Sequence, residues 1–212
     1  EQGNVGPVKS QGDCHAGWMF SSTTAQEAMQ SITQGKPPVR LSEQEGIDCV
    51  TDAWGCDFGW SEWYWTWSRD NGTMLEEHQP YEARKNFECR KQHQKNMETG
   101  ERVASRVQSS HYINGRQAIN IARELQNGPL VASVEVDDCW NLYKGGILTE
   151  ADGCKNENLN HQVVIVGLDQ TPDGLWYWIV QNSWSEYWGD HGLVYIEVTN
   201  DAMGVSAINQ YP

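Results

Sequence analysis

Gln11-Gly12-Asp13-Cys14-His15-Ala16-Gly17-Trp18-Met19-Phe20-Ser21 is the stretch on which the fold turns. It runs without a break into a helical pattern. Over residues 16–33 the apolar side chains Trp18, Phe20, Ala25, Ala28, Met29 and Ile32 recur at mixed spacings of three and four, and Gly35 follows as a stop. The spacing predicts a buried helix, the longest in the chain.

Outward from it, Ser42 can cap a second, short helix, and Glu45 three residues on completes a capping box that ends near Cys49. Over 60–69, Trp60, Trp63, Tyr64 and Trp67 fall on one helical face, and Asn71-Gly72 terminates the pattern. After about residue 107 the character changes. One short helix is expected over 116–126, then strands over 130–136, 162–168, 175–181 and 192–198. Pro172-Asp173-Gly174 and Asp190-His191-Gly192 mark turns between those strands. A helical half followed by a strand half predicts an α+β arrangement with a cleft between two lobes. There is no repeat, low-complexity tract or linker to separate them.

Composition narrows the function classes. Fifteen Lys and Arg against 29 Asp and Glu give a formal charge of -14, which argues against nucleic acid and anionic membranes and toward basic or neutral partners. The one basic run, 84–95, flanks Cys89 and reads as a solvated loop face. No stretch approaches the roughly 18 apolar residues of a membrane span, and Glu1 opens a polar segment, so the chain reads as soluble. The six cysteines, Cys14, Cys49, Cys56, Cys89, Cys139 and Cys154, lie at wide spacings without zinc-like pairs. Three disulfides and an oxidising compartment are expected. Asn71-Gly72-Thr73 is a glycosylation acceptor, in keeping with secretion. The eleven tryptophans read as packing residues, with a peptide or carbohydrate groove as the functional alternative.

The quoted stretch resembles the signature of the papain-type cysteine proteases, Gln-Gly-x-Cys-Gly-Ser-Cys-Trp-Ala-Phe-Ser. Downstream, Asn160-His161-Gln162-Val163-Val164 resembles the family's histidine strand, and Gln181-Asn182-Ser183-Trp184 with Trp188-Gly189-Asp190-His191-Gly192 resembles its asparagine motif. The segment 41–49, Pro80-Tyr81-Glu82-Ala83 and Tyr143-Lys144-Gly145-Gly146-Ile147 resemble further landmarks. The resemblance implies a papain-like two-lobe fold over 1–212, with a helical lobe at about 8–107 and an antiparallel β-barrel-like lobe at about 108–212. The termini cross over, and the active-site cleft lies between the lobes. It also implies an endolysosomal, vacuolar or secreted location, a precursor form, and neither cofactor nor metal.

In a working member a cysteine at the start of the long helix forms a thiolate-imidazolium pair and attacks the peptide carbonyl. Carried over, Gln11 is the oxyanion donor, His161 the acid and base, Asn182 its orienter and Trp184 the shield over their hydrogen bond. Gly17 stands where the nucleophilic cysteine belongs, so the resemblance implies a pseudoenzyme that could hold a carbonyl without cleaving it. Cys14 and Ser21 are poor substitutes, the first through its expected disulfide and the second because it faces elsewhere on the helix.

Departures from the pattern gather nearby. Phe58 replaces the first glycine of the Cys-x-Gly-Gly turn ahead of Gly59 and would narrow the cleft, His15 replaces a glycine beside Gly17, and Ser185 replaces the glycine after Trp184. The resemblance places Trp60, Ser61, Glu62, Ser133, Leu159, Asn160 and Ile208 at a side-chain pocket of that cleft, for a peptide or protein ligand. It also pairs Cys14 with Cys56 and Cys49 with Cys89. The third family bridge would join Cys154 to a position near 203, but Met203 stands there, so Cys139 is taken as the partner. Two readings of Gly17 follow. One is a natural non-catalytic member, similar to plant seed and vacuolar members with glycine at this place, acting by binding, storage or assembly. The alternative is an engineered Cys-to-Gly variant of a functional cysteine endopeptidase.

Overall fold

Helix α1 spans Gly17–Gln34 and buries nearly every side chain of its first three turns. Its polar residues tolerate this because they bond back to the helix, Ser22 Oγ to the Trp18 carbonyl at 2.6 Å and Thr23 Oγ1 to that of Met19 at 3.1 Å. Gly35 ends it in the left-handed conformation, its N–H donating to the Ser31 carbonyl. The computed structural model describes residues 3–86, 89, 103–199 and 204–209. The chain divides into two units, Glu1–Gly6 with Gln11–His111, and Pro7–Ser10 with Tyr112–Pro212.

In the first unit α1 packs on α2 (Glu43–Cys49) and α3 (Ser61–Asn71). Ser42 caps α2, its hydroxyl accepting from the Glu45 N–H at 3.0 Å. The second half of the expected capping box is built differently: the Glu45 carboxylate accepts from the Met74 N–H, while the Ser42 N–H donates to the Met74 carbonyl. The expected face of α3 is found in part. Tyr64, Ser61 and Ser68 are its buried residues, and Trp60, Trp63 and Trp67 are only half-buried. Tyr64 has no exposed surface because Gln26 and Thr73 hydrogen-bond its phenol at 2.8 Å each, which satisfies the group that burial would otherwise orphan.

Buried carboxylates hold loops to this unit. Glu27 accepts the Leu41 N–H, Glu45 that of Met74, and Asp48 both the N–H and the side-chain amide of Asn86. Bridges Cys14–Cys56 and Cys49–Cys89 close it. Within the described part of the basic run, Arg84 pairs with Glu82 and Lys85 donates to the Ala53 carbonyl at 2.9 Å; apart from Cys89, the rest of the run lies outside the described residues.

The second unit holds α4 (Ala118–Glu124), α5 (Asp138–Asn141) and five strands: β1 (Leu130–Val134), β2 (Ile147–Leu148), β3 (His161–Gln170), β4 (Trp176–Gln181) and β5 (Leu193–Glu197). They form one sheet in the order β1-β3-β4-β5-β2, antiparallel except for the β2–β5 pair. Among the described residues the sheet is open, with β1 and β2 at its edges. The turn before β5 takes positive φ at both His191 (52°) and Gly192 (84°), the twist that tight hairpins need. Val163, Ile165, Trp178, Val180, Val194 and Ile196 form the sheet's core with Trp140 of α5. The Cys139–Cys154 bridge clips the α5 segment to the loop before β3, while Met203 lies outside the described residues. Glu135 repeats the carboxylate device here, accepting the N–H groups of Glu157 and Asn158.

Candidate active site

The helix start in the first unit is built around the Cys14–Cys56 bridge. The buried Gln11 donates from Nε2 to the Cys14 carbonyl at 2.8 Å, and its own carbonyl accepts the Tyr81 hydroxyl at 2.7 Å. The His15 N–H donates to the Cys56 carbonyl at 2.9 Å, which leaves the His15 ring exposed. Ala16 occupies the cap position without a capping side chain, and Gly17 is the first helical residue. The first turn carries no acidic residue, so no side chain within it offsets the positive end of the helix dipole. Gly17 itself is buried.

Beside it, Trp18 donates from Nε1 to the Gly55 carbonyl at 3.0 Å. A methyl carbon on Gly59 would lie 2.4 Å from the Trp18 ring, so any side chain here must displace the indole. Phe58, one residue earlier, meets no such wall. Its ring stands edge-to-face with Trp54, Trp60 and Trp63, and it is 38% exposed.

In the second unit His161 opens β3 opposite Val134, and Asn182 follows the last residue of β4. Strands β3 and β4 are paired, so the two side chains meet: His161 Nε2 lies 2.9 Å from Asn182 Oδ1. The same oxygen accepts the Ser183 N–H at 2.8 Å. A carboxamide oxygen only accepts, so Nε2 is the donor of this bond and carries a hydrogen. Trp184 stacks over the imidazole at 5.3 Å between centroids. Trp184 in turn packs edge-on against Trp188 and Trp140, whose rings stack on each other at 5.8 Å. Sequence reasoning gave no role to the two rings behind Trp184, those of Trp188 and Trp140. The Trp188-Gly189 pair was the one visible signal of them, and nothing local marks Trp140.

The residues that resemblance places at the pocket differ in exposure. Ser133 and Ile208 are buried, Ser133 bonded by Gln162 and Ile208 within the sheet's core. Ser61 is buried too, under the Trp18 carbonyl. Leu159 is half-buried and Glu62 exposed. Asn160 is exposed but clamps the Val136 peptide through both ends of its amide. Ser185 takes φ 71° where the family carries glycine, its N–H donating to the Lys9 carbonyl. Asn71, the last residue of α3, donates from Nδ2 to the Trp67 carbonyl, and the Thr73 of its triplet is buried against Tyr64 and Ser68.

The family described as papain family cysteine protease matches residues 1–212. The chain belongs to the papain family of cysteine proteases. Cysteine proteinase 2 of Zea mays is 34% identical over 219 residues, covering 100% of this chain and 58% of that protein. Pro-cathepsin H of Mus musculus is 34% identical over 217 residues, covering 100% and 62%. The bromelain protease from Ananas comosus, solved with the E64 inhibitor, is similar in structure at a TM-score of 0.88 and 26% identity, covering 99% of this chain and 92% of that one. The chain spans about half the length of the curated relatives it matches. Its papain-like fold is α+β, with helices in one unit and the antiparallel-dominated sheet in the other.

Proposed function

We propose that this chain is a non-catalytic papain-family protein of a secreted or vacuolar compartment, acting by binding, storage or assembly, with Gly17 at the place of the nucleophile. The observation that carries the reading is the absence of any thiol to do the chemistry: residue 17 has no side chain, and all six cysteines are in disulfides. Ser21 is no substitute, because its hydroxyl is buried and bonds the Trp18 carbonyl. In a serine protease, loss of the nucleophile lowers turnover about 10⁶-fold. An intact His161–Asn182 pair does not compensate for that.

The roles we assign to the retained groups are those of a binder. The Gln11 carboxamide and the Gly17 N–H are donors for a peptide carbonyl, and the oriented imidazole of His161 is a hydrogen-bonding group rather than a proton shuttle. A fluorogenic peptide assay on the unmodified chain, Gly17→Cys, and Gly17→Cys with His161→Ala tests this. The unmodified chain is expected to show no thiol-dependent turnover. Measurable thiol-dependent turnover by it overturns the proposal. Activity gained by Gly17→Cys and lost again with His161→Ala would show that residue 17 is what the unmodified chain lacks for catalysis.

One observation favours a second reading, that of a functional endopeptidase in which the cysteine was replaced by glycine. The bonded and shielded His161–Asn182–Trp184 arrangement is what an active parent would need. A cysteine codon at position 17 in the native coding sequence would establish it.

A further inference from the structure

We propose that Asn127-Gly128, in the turn between α4 and β1, is a site of spontaneous deamidation, converting to isoaspartate and aspartate ahead of the other Asn-Gly pairs of the chain. This covalent change is independent of what stands at residue 17. The sequence contains three such pairs, Asn71-Gly72, Asn114-Gly115 and Asn127-Gly128. Glycine has no Cβ to shield its nitrogen, so in each pair a backbone nitrogen can reach the preceding side chain. The local chemistry is the same in all three, and the surroundings decide between them.

The step begins when the Gly128 nitrogen, its proton taken by hydroxide, attacks Asn127 Cγ. A bond forms between that nitrogen and Cγ, the Cγ–Nδ2 bond breaks, and ammonia leaves with a proton returned by water. Water then opens the succinimide ring. Breaking the bond from the nitrogen to the Asn127 main-chain carbonyl carbon gives isoaspartate, and breaking its bond to Cγ gives aspartate. One amide and one water thus become one carboxylate and one ammonium, with no cofactor or oxidant.

Attack needs a glycine N–H that water can reach and that is not already donating. Gly72 is buried, its N–H donates to the Ser68 carbonyl at 2.7 Å, and Asn71 Nδ2 is held by the Trp67 carbonyl at 2.8 Å. Gly115 is buried too, and its N–H donates to the Ile113 carbonyl at 3.0 Å. Asn120 pins that peptide further, donating from Nδ2 to the Asn114 carbonyl at 2.9 Å. At the third pair Asn127 is exposed, Gly128 is half-buried, and the Gly128 N–H donates to no acceptor among the described residues. The Asn127 N–H donates to the Glu124 carbonyl at 2.9 Å, so the turn is ordered up to the residue attacked. Asn127 Nδ2 donates to the Glu124 carboxylate at 3.2 Å, an exposed bond that ties the leaving group and not the attacking nitrogen. Each hydrogen bond that must break before attack slows the step about fivefold. The product carries one more negative charge beside Glu124, and its isoaspartate form inserts a methylene into the main chain three residues before β1.

The test is incubation of the unmodified chain and of Asn127→Gln at mildly alkaline pH. Peptide mapping by mass spectrometry resolves the three pairs, and labelling by an isoaspartyl carboxyl methyltransferase identifies isoaspartate. Conversion is expected first at Asn127, about fivefold slower at Asn114 and slower again at Asn71. Asn127→Gln should remove the early acidic species, because the longer amide must close a larger ring. In urea, with the disulfides intact, the three rates should converge. Faster conversion at Asn71 or Asn114 in the folded chain would overturn the proposal. So would an Asn127 that stays intact while the urea-unfolded chain converts, or an unchanged spread of rates in urea.

Discussion

Gly59→Ala adds a single methyl group and should be among the most damaging substitutions of that size in the first unit. The methyl carbon would stand 2.4 Å from two ring carbons of Trp18 and 2.8 Å from its nitrogen. Carbon atoms rest at about 3.5–4.0 Å, so the indole must retreat by more than about 1 Å. It has nowhere easy to go, being 3% exposed among Met19, Phe20, Ile47 and Tyr64 and tied by its N–H to the Gly55 carbonyl. Overpacking of this kind costs about 1–3 kcal/mol, and losing the indole hydrogen bond adds about 1 kcal/mol. Reduced freedom of the unfolded chain offsets about 0.5 kcal/mol. A net loss of about 2–3 kcal/mol corresponds, for a chain of this size, to about 5–10 °C in melting temperature. Differential scanning calorimetry with urea titrations followed by tryptophan fluorescence measures it. A variant that melts within about 1 °C of the parent, with an unchanged indole environment, would refute the argument from close approach.

Replacing Cys139 and Cys154 together by alanine should lower stability by about 3 kcal/mol, the value expected for a loop of about 15 residues; an unchanged urea midpoint would contradict the clip. Ser185→Gly should raise stability by about 0.5–1 kcal/mol, because relief of the positive φ exceeds both the extra freedom of glycine and the weak bond from the Tyr187 N–H to the serine hydroxyl. A lower melting temperature would show that the hydroxyl matters more than the backbone. Burial pushes the Tyr64 phenol well above the usual tyrosine range, with the charges of Glu45 and Glu27 adding to the effect and the Thr73 and Ser68 hydroxyls opposing it. The unfolded chain ionises first, so the contribution is fully present below about pH 10 and is lost as pH rises beyond it. Urea midpoints across that range should fall for the parent and fall less steeply for Tyr64→Phe.

The parts of the fold that local chemistry dictates were legible. The three-four spacing after Gly17 and the stop at Gly35 gave α1, Ser42 gave the cap of α2, and His191-Gly192 gave a tight turn before β5. What escaped depends on neighbours distant in sequence. The face of α3 was legible in part: Tyr64 is buried and Trp63 and Trp67 pack against its cluster, but Ser61 and Ser68, which meet buried partners, carry no apolar signal. Strand β2 has two residues and α5 four, too few for any period to show. At the candidate site, the His161–Asn182 contact follows from β3–β4 pairing and was readable through the motifs. The burial of Ser133 was not, because β1 is covered on both faces and four of its five residues are buried without alternation.

The carboxylates that grip backbone N–H groups change what the acidic composition means. Glu27, Glu45, Asp48 and Glu135 count toward the charge of -14, yet each is buried and fastens a loop. Part of the acidity that suggests a repelling exterior is thus internal mortar. Anyone recoding this chain toward neutrality, to ease crystallisation or to change its partners, has a surface palette smaller than the residue count suggests and four positions where an amide cannot stand in for an acid without losing acceptor strength.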